Sequence, residues 1–236
     1  MTSKGTLFLI PSVIAENTAN AALPPENLHI INSLEHFIVE EERTARRFLK
    51  SIGYNKPIDQ IKFHLLNEHT SSDDFLELLK PLIDGTNMGL LSEAGCPCIA
   101  DPGSAIVSIC HSYDIKTKPL IGPSSILLAM MASGMNGQNF AFNGYFPVDK
   151  HSRSKKIKEF EIKARRENQA QIFIEAPYRN MQLLNDILKI CSPETLLCIA
   201  TEITSDKEYI KTKTISEWKN KLPEINKKTT IFIIGN

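Results

Sequence analysis

One loop organises the first half of this chain, and residues 92–103 read Ser92-Glu93-Ala94-Gly95-Cys96-Pro97-Cys98-Ile99-Ala100-Asp101-Pro102-Gly103. The loop follows a short apolar run at 88–91, typical of a buried strand, and precedes helical periodicity at 104–113. Open parallel sheets bind ligands at the carboxyl ends of their strands, and Gly and Pro let the backbone approach a ligand closely. The loop is therefore a candidate ligand site, although its position alone fits a plain turn equally well.

Apolar runs alternate with helical periodicity along the whole chain. In the first half, strands are predicted at 7–10, 36–39, 61–66, 88–91 and 115–121, and helices at 42–52, 72–83 and 104–113. This alternation is typical of a parallel sheet covered by helices. In the second half, strands are predicted at 140–146, 172–174, 196–200, 209–212 and 230–234, and helices at 124–133, 152–166 and 181–190. Strands that follow one another without long helices indicate a mixed sheet.

The sequence thus predicts an α/β chain of two domains. Pro119 and Gly122-Pro123 punctuate the middle, so we expect an N-terminal α/β domain at 1–119 and a C-terminal α/β domain with a mixed sheet at 120–236. Residues 1–118 carry a net charge of −5 and residues 119–236 a net charge of +5, although the whole chain has 27 basic and 27 acidic residues. Overall neutrality excludes nucleic-acid binding through a uniform field, but not through a local basic surface.

Composition predicts a globular cytoplasmic protein that does not enter a membrane. No apolar run approaches the roughly 20 residues of a membrane span, and Met1 is not followed by a signal-peptide pattern. The chain has 5 Cys, an odd number without paired metal-ligand spacing, which indicates reduced thiols. Cys96 and Cys98 form a Cys-x-Cys pair, but no second pair completes a metal site, so no metal is expected.

A second loop opens a helix at Gly122-Pro123-Ser124-Ser125. The free backbone N–H groups at a helix start, together with two hydroxyls, are able to hold a polar ligand head. A simple N-cap by Ser124 or Ser125 explains the same residues, and the loop taken alone favours that interpretation.

These loops resemble one enzyme family. Residues 92–103 are similar to the Ser-Asp-Ala-Gly-Thr-Pro…Asp-Pro-Gly loop of the tetrapyrrole methylase-like S-adenosylmethionine (SAM) methyltransferases. Four further segments resemble that family's motifs in the same order. Residues 122–125 resemble its Gly-Pro-Ser motif, and 144–147 with Arg153 resemble its Gly-Phe-Leu-Pro with a downstream Arg. Residues 173–179 resemble its Phe-Tyr-Glu-Ser-Pro-His-Arg, and 200–204 its Ala-Arg-Glu-Leu-Thr. The series looks most like the branch that methylates a cytidine ribose 2′-hydroxyl in small-subunit ribosomal RNA.

The resemblance implies a tetrapyrrole-methylase-like fold with SAM in the cleft between two α/β domains, and a homodimer. Carried over position by position, it assigns the cofactor-binding residues Glu93, Gly95, Cys96, Ile99, Ser125, Ile126, Glu175, Ala176, Pro177, Ala200 and Thr230. Methyl transfer is an in-line displacement from an activated sulfonium carbon, so the protein must mainly hold donor and acceptor in line.

A hydroxyl acceptor also needs help in losing its proton. Arg43, Glu41 and His69 lie just after predicted strand ends, and we expect them to be catalytic, with Arg43 orienting or stabilising charge and His69 as the base. Acidic residues at a helix start, here Glu40 and Glu42 beside Glu41, are also common as a solvated first turn. An exposed loop histidine explains His69 equally well.

Eight basic residues lie between Lys150 and Arg166, against two acidic residues. A helix of this kind either tracks the phosphates of RNA or is a solvated amphipathic helix. In the context of the family resemblance we expect an RNA substrate, such as the ribosomal small subunit, bound by Arg153, Lys155, Lys156 and Arg179.

Departures from the family pattern keep other functions open. The family's Gly-Asn-Leu after the first strand is Ala15-Glu16-Asn17, and an Arg of the Arg-Glu-Leu-Thr motif is Thr201. A methylase of tetrapyrrole precursors is disfavoured because the glycine of that first loop is lost. A SAM- or RNA-binding module without catalysis would explain the replaced residues. A generic dinucleotide-binding fold is least supported, because no Gly-x-Gly-x-x-Gly follows the first strand.

Overall fold

The computed structural model of the chain describes residues 3–66 and 72–236, with side chains from residue 75 onward in the second range. The chain divides into two compact units, Met1–Ser124 and Ser125–Asn236, and each contains one five-stranded sheet. The first sheet is parallel and the second is mixed. The predicted fold class is therefore confirmed.

The first unit is a parallel sheet with the strand order β3-β2-β4-β1-β5. Its strands are β1 (Thr6–Ile10), β2 (His36–Val39), β3 (Lys62–Leu65), β4 (Met88–Leu91) and β5 (Lys116–Pro119). Every residue of β4 is buried, as expected for a central strand covered on both faces. Gly89 allows this packing, because a Cβ atom there would lie 2.5 Å from Cδ1 of Ile10.

Helices cover both faces of the first sheet. They are α1 (Ala19–Ala22), α2 (Pro25–Ser33), α3 (Glu42–Ser51), α4 (Ser72–Ile83) and α5 (Gly103–Ser112), with a 3₁₀ turn at Ile58–Gln60. Leu7 of β1 packs with the core of α4 and α5, whereas Ile10 packs with the core of α2 and α3. Successive strand residues point to opposite faces, so one short apolar strand supplies both cores.

The second unit is a mixed sheet with the strand order β6-β7-β10-β8-β9. Its strands are β6 (Phe140–Tyr145), β7 (Ala170–Ile174), β8 (Leu196–Thr201), β9 (Tyr209–Thr214) and β10 (Thr230–Gly235). Its helices are α6 (Ser125–Ser133), α7 (Lys150–Glu167), α8 (Asn180–Ile190) and α9 (Ile215–Asn220), and a 3₁₀ turn lies at Pro177–Arg179. The pair β6–β7 is parallel, and the other three pairs are antiparallel.

Aromatic side chains build the larger core of the second unit. The rings of Phe173 and Phe232 stack at 5.7 Å, and Phe146 meets Phe173 edge to face at 4.6 Å. Trp218 of α9 is fully buried, and its indole N–H donates to the carbonyl of Leu197 at 2.8 Å. The buried tryptophan N–H therefore has the partner that burial demands.

Helix α7 spans 18 residues and is amphipathic. Asp149 caps its start by accepting a hydrogen bond from the Ser152 amide at 2.7 Å, and it ends at Asn168, which adopts a left-handed conformation with φ of 49°. Its buried residues are Arg153, Ile157, Phe160 and Ala164, which share one face. Although α7 is long, neither it nor any other helix in the described ranges is apolar enough to span a bilayer.

Candidate functional site

The turns after β1 and β4 are joined to each other. The Ser12 amide donates to the Gly95 carbonyl at 2.9 Å, and the Gly95 amide donates to the Ser12 carbonyl at 3.2 Å. Gly95 has φ of 71°, a conformation that costs glycine little and other residues more. This backbone bridge fixes the start of the 92–103 loop at the carboxyl end of the sheet.

The turn after β5 packs against the same two loops. A Cβ atom at Gly122 would lie 2.2 Å from Cγ of Pro11, so only glycine lets the two backbones approach this closely. The Sγ atom of Cys96 lies 3.4 Å from the Pro123 carbonyl oxygen. Three loops that are far apart in sequence are thus held as one surface at the carboxyl ends of β1, β4 and β5, where open parallel sheets bind ligands.

The end of the 92–103 loop is organised by a carboxylate. One Asp101 oxygen accepts from the amides of Cys98, at 2.7 Å, and Gly103, at 2.9 Å, at the start of α5. Cys98 and Ala100 have φ of 68° and 62°, an uncommon conformation for residues with a Cβ atom. The Asp101 hydrogen bonds hold the loop in this shape.

Three carboxylates meet near the carboxyl ends of β2 and β4. Glu93 accepts from the Thr44 hydroxyl at 2.8 Å, which ties the loop to α3. Burial, followed by the negative charges of Asp101 and Glu93, raises the pKa of the half-buried Glu40. An elevated carboxyl pKa with neighbouring carboxylates is typical of functional sites as well as of structural clusters. The sequence predicts Glu41 as a catalytic residue, and the structure adds Glu40 as the carboxyl group whose pKa is raised by burial and by the charges of Asp101 and Glu93 in the 92–103 loop.

Replacing Glu40 with glutamine is expected to stabilise the protein at neutral pH. A raised pKa means that the folded state disfavours the ionised form, so the penalty is absent below the ordinary Glu pKa of about 4.3 and grows as pH rises through the folded pKa. The melting temperature of Glu40→Gln should exceed that of the wild type at pH 7.5, and the two should converge near pH 4. Glu16→Gln, at an exposed acid, is the control and should change neither value. A lower melting temperature for Glu40→Gln at pH 7.5 would contradict this assignment.

Two of the three predicted catalytic residues, Arg43 and Glu41, are described by the structure. Arg43 is exposed in the first turn of α3 and has no ion-pair partner among the described residues. Glu41 is exposed directly before α3, and its side chain makes no capping hydrogen bond. His69 lies outside the described residues, as do Thr70 and Ser71. The structure therefore places Arg43 and Glu41 beside Glu40, at the carboxyl end of β2.

The predicted cofactor residues of the first unit share the 92–103 loop. Glu93 and Ile99 are exposed, Cys96 is half-buried and Gly95 is buried. Burial raises the pKa of Cys96, and burial together with Asp101 raises the pKa of Cys98 to about 11, so both thiols are protonated at neutral pH. No group of three or more His, Cys, Asp or Glu residues in the described ranges is arranged to hold a metal ion.

The predicted cofactor residues of the second unit lie at neighbouring strand ends. Glu175 is 5% exposed, and its carboxylate accepts from the Ala176 amide at 2.7 Å and from Arg179 Nε at 3.0 Å. The turn through Ala176 and Pro177 at the end of β7 is thereby fixed. Arg179 also lies 5.5 Å from the Tyr178 ring centroid, so its guanidinium is largely engaged within the turn.

The other cofactor residues of this unit contact the same end of the sheet. Ala200, near the end of β8, and Thr230, at the start of β10, are buried. Ile126 in the first turn of α6 packs against the apolar cluster that contains Ala200. Ser125 is half-buried at the start of that helix. The structure therefore brings Ala200 and Thr230 to one end of the second sheet, and Ile126 packs against the apolar cluster of that sheet.

Asn180 is a buried polar residue that sequence reasoning missed. Its side-chain amide donates to the carbonyl of Lys228 at 2.6 Å and to the Thr230 hydroxyl at 3.1 Å. Its own side-chain oxygen is buried without a hydrogen-bond partner in the described structure. The one sequence feature that could have indicated Asn180 as a site residue is its position directly after the 173–179 motif. A buried unpaired acceptor is costly, so Asn180 marks a site where a ligand donor would be favourable.

The basic residues of α7 divide between two faces. Arg153 is 3% exposed, with Nε 2.8 Å from the Asp186 carboxylate and one Nη donating to the Val148 carbonyl at 2.7 Å. Lys155 and Lys158 are exposed on the opposite face, and Lys156 lies 3.5 Å from the Glu159 carboxylate. Arg153 thus has a structural role and no donor to offer a phosphate, whereas Lys155 belongs to the solvent-facing surface.

That solvent-facing surface is a continuous basic stripe. It contains the exposed residues His151, Lys155, Lys158, Ile162, Arg165 and Arg166. Their spacing of three or four residues places them along one side of the helix. We call these residues the α7 stripe.

A cavity of about 560 Å³ in the first unit has His36 and His64 among its lining residues. Their ring nitrogens are 3.1 Å apart across β2 and β3. Burial is the main cause that lowers the pKa of both, so neither is favoured as a cation at neutral pH. Neither residue was among the predicted catalytic or binding positions.

Several relatives of the chain are ribosomal RNA methyltransferases of one kind. A "Ribosomal RNA small subunit methyltransferase I" of Buchnera aphidicola subsp. Schizaphis graminum is 30% identical over 233 residues, which is 98% of this chain and 78% of the relative. The proteins of that name from Vibrio cholerae and Escherichia coli O157:H7 are each 28% identical, over 89% and 88% of this chain and 69% and 68% of their own lengths. No protein-family model matches the chain.

Solved structures match the fold. The methyltransferase CobJ matches with a TM-score of 0.65 at 17% identity, covering 100% of this chain and 95% of that protein. The native uroporphyrin III C-methyl transferase of Thermus thermophilus matches with a TM-score of 0.60 at 14% identity, covering 98% of both chains. At these identities the likeness concerns the fold alone, and it extends over both units.

Proposed function

Because this chain belongs to the family of ribosomal RNA small subunit methyltransferase I and is a SAM-dependent methyltransferase, we propose that it methylates a ribose 2′-hydroxyl of small-subunit ribosomal RNA. The single observation that supports this most strongly is the 30% identity to a relative of that name over 98% of the chain. The interlocked loops at the carboxyl ends of β1, β4 and β5 form a surface where open parallel sheets bind ligands.

SAM has donors, acceptors and an adenine ring, and each unit by itself contains groups that suit some of them. In the first unit, Glu93 offers an exposed carboxylate to an amino or hydroxyl group, and the buried Gly95 fixes the loop that carries it through its hydrogen bonds to Ser12. In the second unit, Asn180 supplies a buried acceptor that lacks a protein donor. We propose that SAM is held by these residues together with the rest of the predicted set: Cys96, Ile99, Ser125, Ile126, Glu175, Ala176, Pro177, Ala200 and Thr230.

SAM supplies a methyl group on a sulfonium centre that is already activated for displacement. The chain must then hold the acceptor hydroxyl in line and help to remove its proton. We propose that Arg43 stabilises the charge that develops on the acceptor oxygen, and that His69 accepts the proton. Glu41 is the third residue of the predicted catalytic set, and Glu40 is the nearby carboxyl group whose raised pKa suits proton exchange closer to neutral pH.

The α7 stripe supports an RNA substrate. Its cationic side chains are exposed along one side of a rigid helix, and they follow one another at the three- and four-residue spacing of that side. A line of cations binds the sugar–phosphate backbone without reading sequence. Lys155 of the predicted set belongs to the stripe, whereas Lys156 lies beside it with its ammonium group 3.5 Å from the Glu159 carboxylate. Arg179, the fourth residue of that set, is 19% exposed and is paired with Glu175.

The proposed activity is tested with small ribosomal subunits from a strain that lacks the corresponding methyl group. The chain and tritiated SAM should label the RNA of those subunits, and the labelled nucleotide should resist alkaline cleavage because its 2′-hydroxyl is blocked. Calorimetric titration with SAM is the parallel measurement. SAM binding without label in any RNA would exclude the proposed acceptor and favour a small-molecule acceptor or a binding module that has lost catalysis.

Removing charge from the α7 stripe is expected to weaken RNA binding and its salt dependence. Each lost phosphate contact to single-stranded RNA should reduce the slope of log affinity against log salt by about 0.7, so Lys155→Gln/Lys158→Gln should lose about 1.4. Fluorescence anisotropy with a labelled RNA from 50 to 200 mM salt measures this slope. Lys116→Gln/Lys189→Gln removes two other exposed lysines and should keep the wild-type slope. Equal slopes for both double variants would remove the stripe from the RNA-binding surface.

We further propose a homodimer in the cytoplasm, on the strength of the family resemblance. Light scattering coupled to size-exclusion chromatography should give twice the 26.5 kDa mass of the chain. A mass of one chain at working concentration would contradict the dimer.

A further inference from the structure

A cavity of about 490 Å³ opens on the second unit, between the β8–β9 strand ends and the segment after α9. Its lining includes Lys213, Lys221, Lys228, Tyr209, Leu222 and Thr201. Apart from Thr201, which belongs to the 200–204 motif, these residues lie outside the sequence motifs and the proposed catalytic set. The cavity has the volume of a pocket for a small ligand or a single nucleotide.

The charge in this cavity is mainly positive. Lys213 and Lys221 form no direct ion pair with a carboxylate of the described residues, although Lys213 is near enough to Glu217 to lower the pKa of that carboxyl group, and Lys228 lies 3.6 Å from the Glu202 carboxylate. Lys213 Nζ lies 4.9 Å from the centroid of the Trp218 ring, which positions the ammonium without using its hydrogen-bond donors on an acceptor. Glu224 is the acidic group in the lining. Two ammonium groups are therefore available to an anion.

Exposed apolar surface adjoins these ammonium groups. Tyr209 is 39% exposed and Leu222 is 40% exposed, although both contribute to the cavity wall. Because side chains alternate along a strand, Tyr209, Lys211 and Lys213 of β9 face the same side of the sheet. An aromatic ring beside cations is the combination that binds a stacked base together with its phosphate.

The wall of the cavity is fixed to the proposed cofactor residues of the same unit. The Lys228 carbonyl accepts from the buried Asn180 amide at 2.6 Å, and the Lys227 amide donates to the Pro177 carbonyl at 3.1 Å. Thr201, in the lining, accepts from the Thr230 hydroxyl at 3.2 Å. A ligand in this cavity would therefore lie next to strand ends that carry Thr230 and Ala200.

We propose that this cavity binds one unpaired nucleotide of the RNA substrate, with its phosphate on Lys213 and Lys221 and its base on Tyr209. The inference rests on the proposed RNA function and adds a second contact, separate from the α7 stripe. It also distinguishes the kinds of contact, because the stripe consists mainly of Lys and Arg side chains, whereas the cavity adds the phenol ring of Tyr209 to its lysines. The cavity thus selects single-stranded RNA, whose bases are free to leave the stack.

The test measures binding of the full chain to a fluorescent single-stranded 12-nucleotide RNA and to the same sequence in a duplex. Lys213→Gln/Lys221→Gln should weaken single-strand binding about tenfold and lower the salt slope by about 0.7, the change expected for the one phosphate that the two lysines share. Tyr209→Ala should weaken it at least fivefold, and Tyr209→Phe should bind like the wild type because the ring is kept. Duplex binding should change much less with Tyr209→Ala. Lys116→Gln/Lys189→Gln is the matched charge control, and equal melting temperatures confirm that each variant is folded.

Methyl transfer by the wild type, measured in parallel, separates the two proposals. If the wild type labels RNA while the cavity variants bind single strands as the control does, the cavity inference is wrong and the RNA function stands. If the cavity variants lose affinity while the wild type labels no RNA, the cavity assignment stands and the proposed acceptor is wrong. If an oligoglutamate peptide binds the cavity and RNA does not, the cavity is a site for an acidic protein segment, and the inference is overturned.

Discussion

Replacing Arg43 with alanine is expected to slow methyl transfer to RNA by about 100-fold or more while SAM binding stays unchanged. Removing one group that stabilises developing charge typically costs about 100- to 1000-fold in rate. Arg43 lies in the first turn of α3, where the helix dipole disfavours a cation. It is also exposed and has no ion-pair partner among the described residues. An exposed cation that forms no ion pair with the described residues, at a place that the helix dipole disfavours, supports the proposal that Arg43 acts in the reaction.

Single-turnover transfer at saturating SAM measures this effect, and calorimetry measures SAM affinity. Arg47→Ala is the matched control, because Arg47 is exposed on the same helix one turn later. It should leave both values within about twofold. Unchanged transfer by Arg43→Ala would remove Arg43 from the reaction, and a joint loss of transfer and SAM binding would assign it to the cofactor instead.

Replacing Arg153 with alanine is expected to destabilise the second unit by about 3–5 kcal/mol, the range for breaking a buried ion pair by removing one partner. The Arg153 side chain is 3% exposed and its partner Asp186 is 14% exposed, so the remaining carboxylate would be left buried without its cation. Carbonyl oxygens of Pro147 and Val148 would also lose a donor. The loss is large against the total stability of about 5–15 kcal/mol that a domain has.

Urea unfolding followed by tryptophan fluorescence measures this loss. The chain has 1 Trp, and Trp218 is fully buried in the second unit, so the signal reports that unit. Lys155→Ala, two residues along α7 on the exposed face, should change the free energy of unfolding by less than about 0.5 kcal/mol. Arg153→Ala/Asp186→Leu should recover part of the loss because it removes the unpaired charge. Equal stability of Arg153→Ala and the wild type would show that the ion pair contributes nothing.

Most elements of the fold could be predicted from local sequence. The apolar runs at 7–10 and 88–91 coincide with β1 and β4, because buried parallel strands are short and continuously apolar. Helix α2 was missed because Pro24-Pro25 resembles a loop, whereas Pro25 is the first residue of the helix, a position that tolerates proline. Helix α9 was missed because its six residues are too few for a periodic pattern.

The role of Arg153 could also have been predicted. Positions 153, 157, 160 and 164 follow the three- and four-residue spacing of one helix face, and the last three are apolar. An arginine on that face must be buried, and a buried arginine needs a carboxylate. Only the identity of that carboxylate depends on the tertiary structure. It is Asp186 on α8, the next helix in the chain, which follows α7 after the strand β7.

The contacts that shape the candidate sites lay beyond sequence reasoning. Asn180 bonds to Lys228, 48 residues away, and no local pattern pairs the two. The coupling of Glu40 to Asp101 likewise depends on β2 and β4 being neighbours although β3 separates them in the chain. Motifs indicated which segments matter, and the strand order determines which of them meet.

The contact between Gly122 and Pro11 limits how this protein can be re-engineered. A side chain at Gly122 would collide with the Pro11 ring, and Gly95 is bonded to Ser12 beside it. A chimaera that takes only one of these loops from a relative would place a loop that fits the relative's two other loops against the two loops of this chain. The three turns therefore have to be transplanted together, so any redesign of specificity at this end of the sheet starts from a block of three loops and not from a single one.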